Sequence, residues 1–465
     1  MPVSPARTIA FEILQRVETG GAYAADALHA RLTAGKKRRE GAGETAKRQD
    51  AALATELVFG VLRWRRLLDF LIERQARRPA EGLDADVRQA LRLGAYQLLF
   101  LDRIPASAAV NESVELTKRA GKRQAAPLVN AVLRRMPKGP FRAETFARGL
   151  PVGMAEAERL GILYSHPTWM VARWLAAYGA ERTRALLEAN NRPLPVACSV
   201  LDGEGAAQVA ESLREDGLEV EPGKLLRHAL VVRGGSIAET AAFREGWIVV
   251  QDEASQAVAL LTGVGKGQSV LDVCAAPGNK TLHLARAAAS GARVVAGDVH
   301  PHRLHAVRAQ LERTGTAGVA LVAFDGTRPL PFGAPFDRIL VDAPCSGTGT
   351  LARNPEIRWR LQASDLEDLA QRQEAILRNA LDLLARGGRL VYATCSLEPE
   401  ENEWVVRRII QERSDIRAGR APAEFAGELA QGVTLERLFD REGFFRTMPQ
   451  ETTTDGFFAA VLERK

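Results

Sequence analysis

Two cysteines sit where a thiol could act on a substrate. Cys345 lies in Asp342-Ala-Pro-Cys-Ser-Gly347 and Cys395 in Ala393-Thr-Cys-Ser396, each just past a short apolar run. A free Cys is usually a small buried hydrophobe, which suits Cys198 and stays open for Cys274. Two Cys at adjacent carboxyl ends of a parallel sheet are different, because both face one crevice, and this suggests nucleophilic chemistry. A further segment, Leu271-Asp-Val-Cys-Ala-Ala-Pro-Gly-Asn-Lys-Thr281, also follows an apolar run. Its small residues and Gly278 let backbone N–H groups approach a ligand at the start of the next helix. It is not a P-loop, since Asn279 precedes Lys280 where glycine is required, and it does not fit G-x-G-x-x-G. A plain tight turn is the alternative. Asp298, Asp325 and Asp342 end the neighbouring runs. One such Asp is usually a helix cap. Several at successive strand ends point to a cofactor containing a nucleoside, with ribose at Asp298 and an adenine edge at Asp325. His300, His302 and His305 have no Cys or carboxylate partner at ligand spacing, so no metal is expected.

These residues need a scaffold, and the apolar pattern supplies one. From about residue 245, short apolar runs at 269–273, 293–296, 320–323, 337–341 and 389–393 alternate with helical stretches at 281–290, 302–314 and 366–385. That alternation implies a mostly parallel, doubly wound sheet, closed by a last run at 456–462. Residues 5–145 read as helices, with apolar residues at three and four spacing in 9–17, 53–72 and 87–101. The charged, glycine-bearing segment 35–43 predicts an exposed loop. Between these parts, helices at 167–179 and 181–190, apolar runs at 196–201 and 229–232 and a helix at 208–213 suggest a small α+β subdomain.

The 465 residues include 46% hydrophobic and 26% charged residues, which excludes a fibrous or largely disordered chain. No apolar run approaches a membrane span. Met1-Pro-Val-Ser-Pro-Ala-Arg7 lacks the apolar core of a secretion signal, and the four Cys form no C-x-x-C pair. A cytoplasmic protein with reduced thiols is expected. The net charge of +6 is uneven: residues 1–150 hold 27 Lys and Arg against 16 Asp and Glu. A polyanion-docking part beside a catalytic part would explain this, and so would a solvated Arg-rich surface.

Asp272-x-Cys-Ala-Ala-Pro-Gly-x-Lys-Thr281, Asp342-Ala-Pro-Cys-Ser-Gly347 and Thr394-Cys-Ser396 resemble the motifs of RNA 5-methylcytosine methyltransferases. Gln251-Asp-Glu-Ala-Ser255, Arg353-Asn-Pro-Glu-Ile-Arg-Trp359 and Thr454-Asp-Gly-Phe-Phe458 support the match. Leu93-Gly-Ala-Tyr-Gln-Leu-Leu-Phe-Leu101, Val129-Asn-Ala-Val-Leu-Arg-Arg135 and two neighbouring stretches resemble the NusB-like RNA-binding domain. The combination is similar to the bacterial RsmB (Sun/Fmu) subfamily, which acts on 16S ribosomal RNA. The resemblance implies an all-α NusB-like domain (1–142), a small α+β linker subdomain (143–240) and a Rossmann-like α/β methyltransferase domain (241–465). It implies S-adenosyl-L-methionine as cofactor, small-subunit rRNA as partner and no membrane or metal, and we expect a monomer.

The resemblance makes Cys395 the nucleophile, Cys345 an aid to proton abstraction or release, and Asp342 a contact to the base. Its cofactor residues are Cys274, Ala275, Ala276, Pro277, Gly278, Asn279, Lys280, Asp298, Arg303, Asp325 and Asp342. Lys280 would pair with the methionine carboxylate, or merely begin a surface helix. Asn279 stands where the family usually has a second glycine, and Asn tolerates left-handed geometry. Asn354, Arg358 and Trp359 are candidates to touch RNA, with a cap and a packed aromatic as the alternative. Lys36 to Arg39, Arg63, Arg65, Arg66, Arg134 and Arg135 are candidate phosphate contacts. Other readings are the same chemistry on tRNA or large-subunit rRNA, a non-catalytic RNA-binding or antitermination factor, and a uracil-C5 methyltransferase using one Cys.

Overall fold

The computed structural model describes residues 3–36, 44–137, 139–201, 205–289 and 291–465. The expected loop at 35–43 falls mostly outside them, as do the side chains of Lys36 to Arg39. The chain divides into two compact units. One comprises Met1–Arg192 and Leu351–Arg360, the other Pro193–Thr350 and Leu361–Lys465.

The first unit is helical among its described residues, with helices that include Pro5–Gly20, Glu44–Ala76, Ala85–Phe100, Ala106–Arg119 and Ala126–Arg135. The apolar spacing explains them. Leu57, Val58, Val61, Leu68, Leu71 and Ile72 recur at helical intervals and are all buried. The break between the helices expected at 167–179 and 181–190 is real: inside Thr168–Ala189, Gly179 has φ 76° and ψ 171°. The segment Leu351–Arg360 is built into this unit. Fully buried Arg358 donates to the carbonyls of Ser165, Asn190 and Leu351 and to Asn191 Oδ1, at 3.0–3.3 Å. Trp359 Nε1 donates to Leu62 O.

The second unit holds two sheets. The smaller has strands β1 (Val196–Val200), β2 (Glu219–Pro222), β3 (Ala229–Arg233) and β4 (Ile248–Val250), antiparallel in the order β2-β3-β1-β4. The larger has β5 (Val270–Asp272), β6 (Val294–Asp298), β7 (Val319–Ala323), β8 (Phe336–Asp342), β9 (Leu384–Thr394), β10 (Ile416–Ala418), β11 (Phe445–Thr447) and β12 (Phe457–Arg464). Its order is β10-β12-β9-β8-β5-β6-β7, with β11 also on β12. From β9 to β7 the pairing is parallel, while β12 runs antiparallel to its neighbours.

Continuous apolar runs are what a sheet covered on both faces requires. Leu340, Val391 and Val270 join one buried cluster. Their neighbours Ile339, Val341, Leu390, Tyr392 and Leu271 join another. Successive residues thus point to opposite faces. The five anticipated parallel strands form, as does the closing strand. β4, β10 and β11, three residues each, carried too little pattern to be read.

Candidate active site

In the parallel part the chain runs outward from β5 through β6 and β7, then returns to β8 and β9 on the other side of β5. The order therefore reverses between β5 and β8, where ligands of such sheets bind beyond the carboxyl ends. Register fixes what meets there. Asp272 pairs with Leu340 and Asp342 with Ala393, so the loops after β5, β8 and β9 emerge side by side.

After β5 the loop turns through Gly278, at φ 107°, into the helix Asn279–Ala288. A Cβ on Gly278 would stand 3.0 Å from Val307 Cα, so both backbone angle and space call for glycine. Here one expectation is corrected. Gly278, not Asn279, takes the left-handed position. Asn279 is the first helical residue, and its amide donates to Val250 O and accepts from Gln310 Nε2. The Asn279 side chain thus bridges β4 and the helix Pro301–Arg313.

A cavity opens over this loop, lined by Ser255, Asp272, Cys274, Ala275, Ala276, Pro277, Asn279, Lys280 and Asp342. Most of the expected cofactor residues thus share one space. Lys280 Nζ lies 2.8 Å from Asp342 Oδ2 and 5.2 Å from the Phe457 ring centroid. Asp272 is buried and accepts from Thr281 Oγ1 at 2.7 Å, while its Oδ1 has no hydrogen-bond partner. Burial pushes its carboxyl up to about 7. Asp298 and Arg303 stand outside the lining but pair at 3.3 Å, and Arg303 also donates to Ala276 O of the loop. Asp325 lies two residues past β7 and accepts from the N–H and hydroxyl of Thr327 in its own turn, which holds its carboxyl low. His300 and His302 stack on each other.

The two expected cysteines do meet. Cys345 Sγ and Cys395 Sγ are 3.4 Å apart. Gly349 N donates to Cys395 O, and Gly456 N to Gly349 O. A Cβ on Gly349 would lie 2.1 Å from Gly456 O, so only glycine permits this approach. The Cys345 thiol is pushed up by its hydrogen bond with Cys395, by burial and by the Glu401 carboxylate. Cys198 is buried in the small-sheet core, and burial raises its thiol to about 12. It is the inert residue expected.

Several expected RNA contacts are corrected. Arg358 is fully buried among carbonyls, and Arg63 is buried with its guanidinium on Ala352 O. Arg66 is used on His166 O and Thr168 Oγ1, and Arg65 pairs with Glu18. The desolvated, carbonyl-bound guanidinium groups of Arg63 and Arg358 are not available to phosphates. Arg134 and Arg135 are exposed.

Two residues escaped the sequence reading as members of the site, although Ser255 lies in Gln251-Asp-Glu-Ala-Ser255, which carries part of the resemblance. Ser255 reaches the cavity from the helix Glu253–Leu261. Glu401 is buried between the two cysteine loops. The acid run Glu398-Pro-Glu-Glu401 was a visible signal, but acids at a helix start are ordinarily read as caps.

Sheet order, switch-point cavity and relatives together define the class: a Rossmann-like methyltransferase domain preceded by a NusB domain and a ferredoxin-like domain. The family model described as 16S rRNA methyltransferase RsmB/F matches residues 259–463, the NusB family 4–138, and the ferredoxin-like domain of RsmF/B-like methyltransferases 166–237. A probable ribosomal RNA small subunit methyltransferase B of Synechocystis sp. is 36% identical, over 89% of this chain and 91% of its own. A protein of the same description from Bacillus subtilis is 32% identical over the whole of both chains. The crystal structure of PH0851 superposes over the whole of both chains with a TM-score of 0.80 at 26% identity. The chain belongs to the RsmB/F family of 16S rRNA methyltransferases.

Proposed function

We propose that this protein transfers a methyl group from S-adenosyl-L-methionine to C5 of a cytosine in small-subunit (16S) rRNA, through a covalent bond between Cys395 and C6. The observation that carries this is the 3.4 Å approach of Cys345 and Cys395 beside a switch-point cavity that contains Asp342.

The residues of the cavity fit the cofactor. Lys280 and the helix N-terminus at Asn279 suit a carboxylate, the unpartnered Oδ1 of Asp272 suits an amino group, and Asp298 suits ribose hydroxyls. Arg303 would support Asp298, and Asp325 would stand on the adenine side. Bound there, S-adenosyl-L-methionine supplies an electrophilic methyl group.

The chain's own residues would do the rest. Cytosine C5 is a poor nucleophile. Addition of the Cys395 thiolate to C6 breaks the C5–C6 double bond and places electron density on C5. Asp342, hydrogen-bonded to Lys280, would meet the base near N3. Once C5 carries the methyl group, loss of its proton and expulsion of Cys395 restore the aromatic ring. Cys345 enters that stage protonated, so it would give its proton to the departing Cys395 sulfur and, as the thiolate left behind, take the proton from C5. The base must leave its stack to reach both thiols, which a single-stranded loop allows at least cost.

In this reading 1–142 docks RNA, 143–240 links, and 241–465 carries the chemistry, in a monomeric cytoplasmic enzyme. Incubation with labelled S-adenosyl-L-methionine and unmodified small-subunit rRNA, followed by mapping of the label, tests it. We expect 5-methylcytosine there and none in tRNA or large-subunit rRNA; its absence from small-subunit rRNA would sink the proposal.

A further inference from the structure

We propose that Glu401 is the positioning residue that sets the two thiols against each other, by clamping the serine that follows each cysteine. This rests on the catalytic reading of Cys345 and Cys395 and adds a residue that acts through them.

Glu401 ends the short 3-10 helix Pro399–Glu401 and has no exposed surface. Its Oε1 accepts from Ser346 N at 2.8 Å and from Gln373 Nε2 at 2.9 Å. Its Oε2 accepts from the hydroxyls of Ser346 and Ser396. The two hydroxyls also lie 3.0 Å apart. Its backbone carbonyl accepts from Tyr392. A buried carboxylate is tolerated only when so satisfied, and all four donors point at it.

Ser346 follows Cys345 and Ser396 follows Cys395. One carboxylate therefore fixes both cysteine turns, which leave different strands and are 50 residues apart in sequence. It touches neither sulfur by hydrogen bond. Its charge also faces Cys345, and Cys274 and Asp342 belong to the neighbouring loops. Displacement of a reacting group by about 1 Å can cost about 100-fold in rate, so a clamp on both turns bears directly on the chemistry.

The test uses the full-length protein as wild type, E401Q and the double variant S346A/S396A. In an RNA-free arm, the rate of Cys345–Cys395 disulfide formation with diamide is read by peptide mass spectrometry. Two S–H bonds are lost, one S–S bond forms, and the two electrons and two protons reduce diamide to its hydrazide. In a second arm, single-turnover methyl transfer to unmodified small-subunit rRNA is measured across pH, with cofactor affinity alongside. We expect disulfide formation at least about tenfold slower and transfer about 100-fold slower in both variants, with cofactor affinity within about twofold of wild type. The double variant keeps the Glu401 charge, so a loss shared by both variants belongs to the clamp on the two turns and not to that charge. Disulfide formation within about twofold of wild type in the double variant overturns the clamp, and so does transfer that falls only as cofactor binding falls. If E401Q does not fold, the double variant decides alone. A wild type that makes no 5-methylcytosine defeats the proposed function, while the RNA-free arm still judges the clamp.

Discussion

Cys345 and Cys395 are chemically alike and differ through their surroundings. The neighbouring sulfur, burial and Glu401 all favour a protonated Cys345, which supports the proposed role of Cys395 as the attacking thiol. Cys395→Ala should lower methyl transfer by about 1,000-fold or more with cofactor affinity retained, measured by single-turnover label transfer. Cys345→Ala should instead accumulate a covalent RNA–protein adduct, visible on a denaturing gel. Asp272 makes a second prediction through pH. Its folded-state carboxyl titrates near 7, above the ordinary unfolded value, so between those limits the folded state binds more protons. Stability of the ligand-free protein should therefore fall as pH rises from about 4 to about 7, and Asp272→Asn should flatten that slope in chemical denaturation. An unchanged slope would show that Asp272 does not titrate there. At this scale the sequence was informative: Cys395, Cys345, Asp342 and the 274–280 loop were legible from residue type and position after apolar runs. Glu401 was not, because nothing in its neighbours signals that it meets Ser346, 55 residues away.

Among the elements, the turn from β5 into Asn279–Ala288 positions most of the residues proposed to hold the cofactor. Gly278→Ala would combine an unfavourable backbone angle with contact on Val307, and should cost about 1–3 kcal/mol and weaken cofactor binding. Calorimetric titration and thermal unfolding read both. Asn279→Gly removes the bridge to Val250 and Gln310 and should destabilise by about 1–2 kcal/mol. The parallel strands were legible because burial on both faces writes an unbroken apolar run. β4, β10 and β11 were not read, and their pairing is set by β1 and β12, which are distant in sequence or follow them.

Across the whole molecule, the basic character of residues 1–150 stands, but the arginines expected at RNA divide into two kinds. Arg358→Ala should destabilise the protein by about 3–5 kcal/mol, since it leaves several buried carbonyls and an amide oxygen unpaired, with urea unfolding as the measure. Arg134→Ala/Arg135→Ala should leave stability nearly unchanged, weaken RNA binding and lower its salt dependence by about one ion per residue. A salt slope equal to wild type would remove these two from the RNA surface.

The sequence by itself determined which residues end the strands and which carry thiols, carboxylates and flexible backbone. Covalent spacing and apolar periodicity are local, and they persist in any fold that buries those runs. The tertiary structure decided which charges are free and which distant groups meet. Arg63 and Arg358 read as surface cations until packing buried them among carbonyls. Glu401 drew no reading from the sequence, and packing placed it between two serines. Partners far apart in the chain are chosen by desolvation and hydrogen-bond satisfaction, and neither is written in the neighbouring residues.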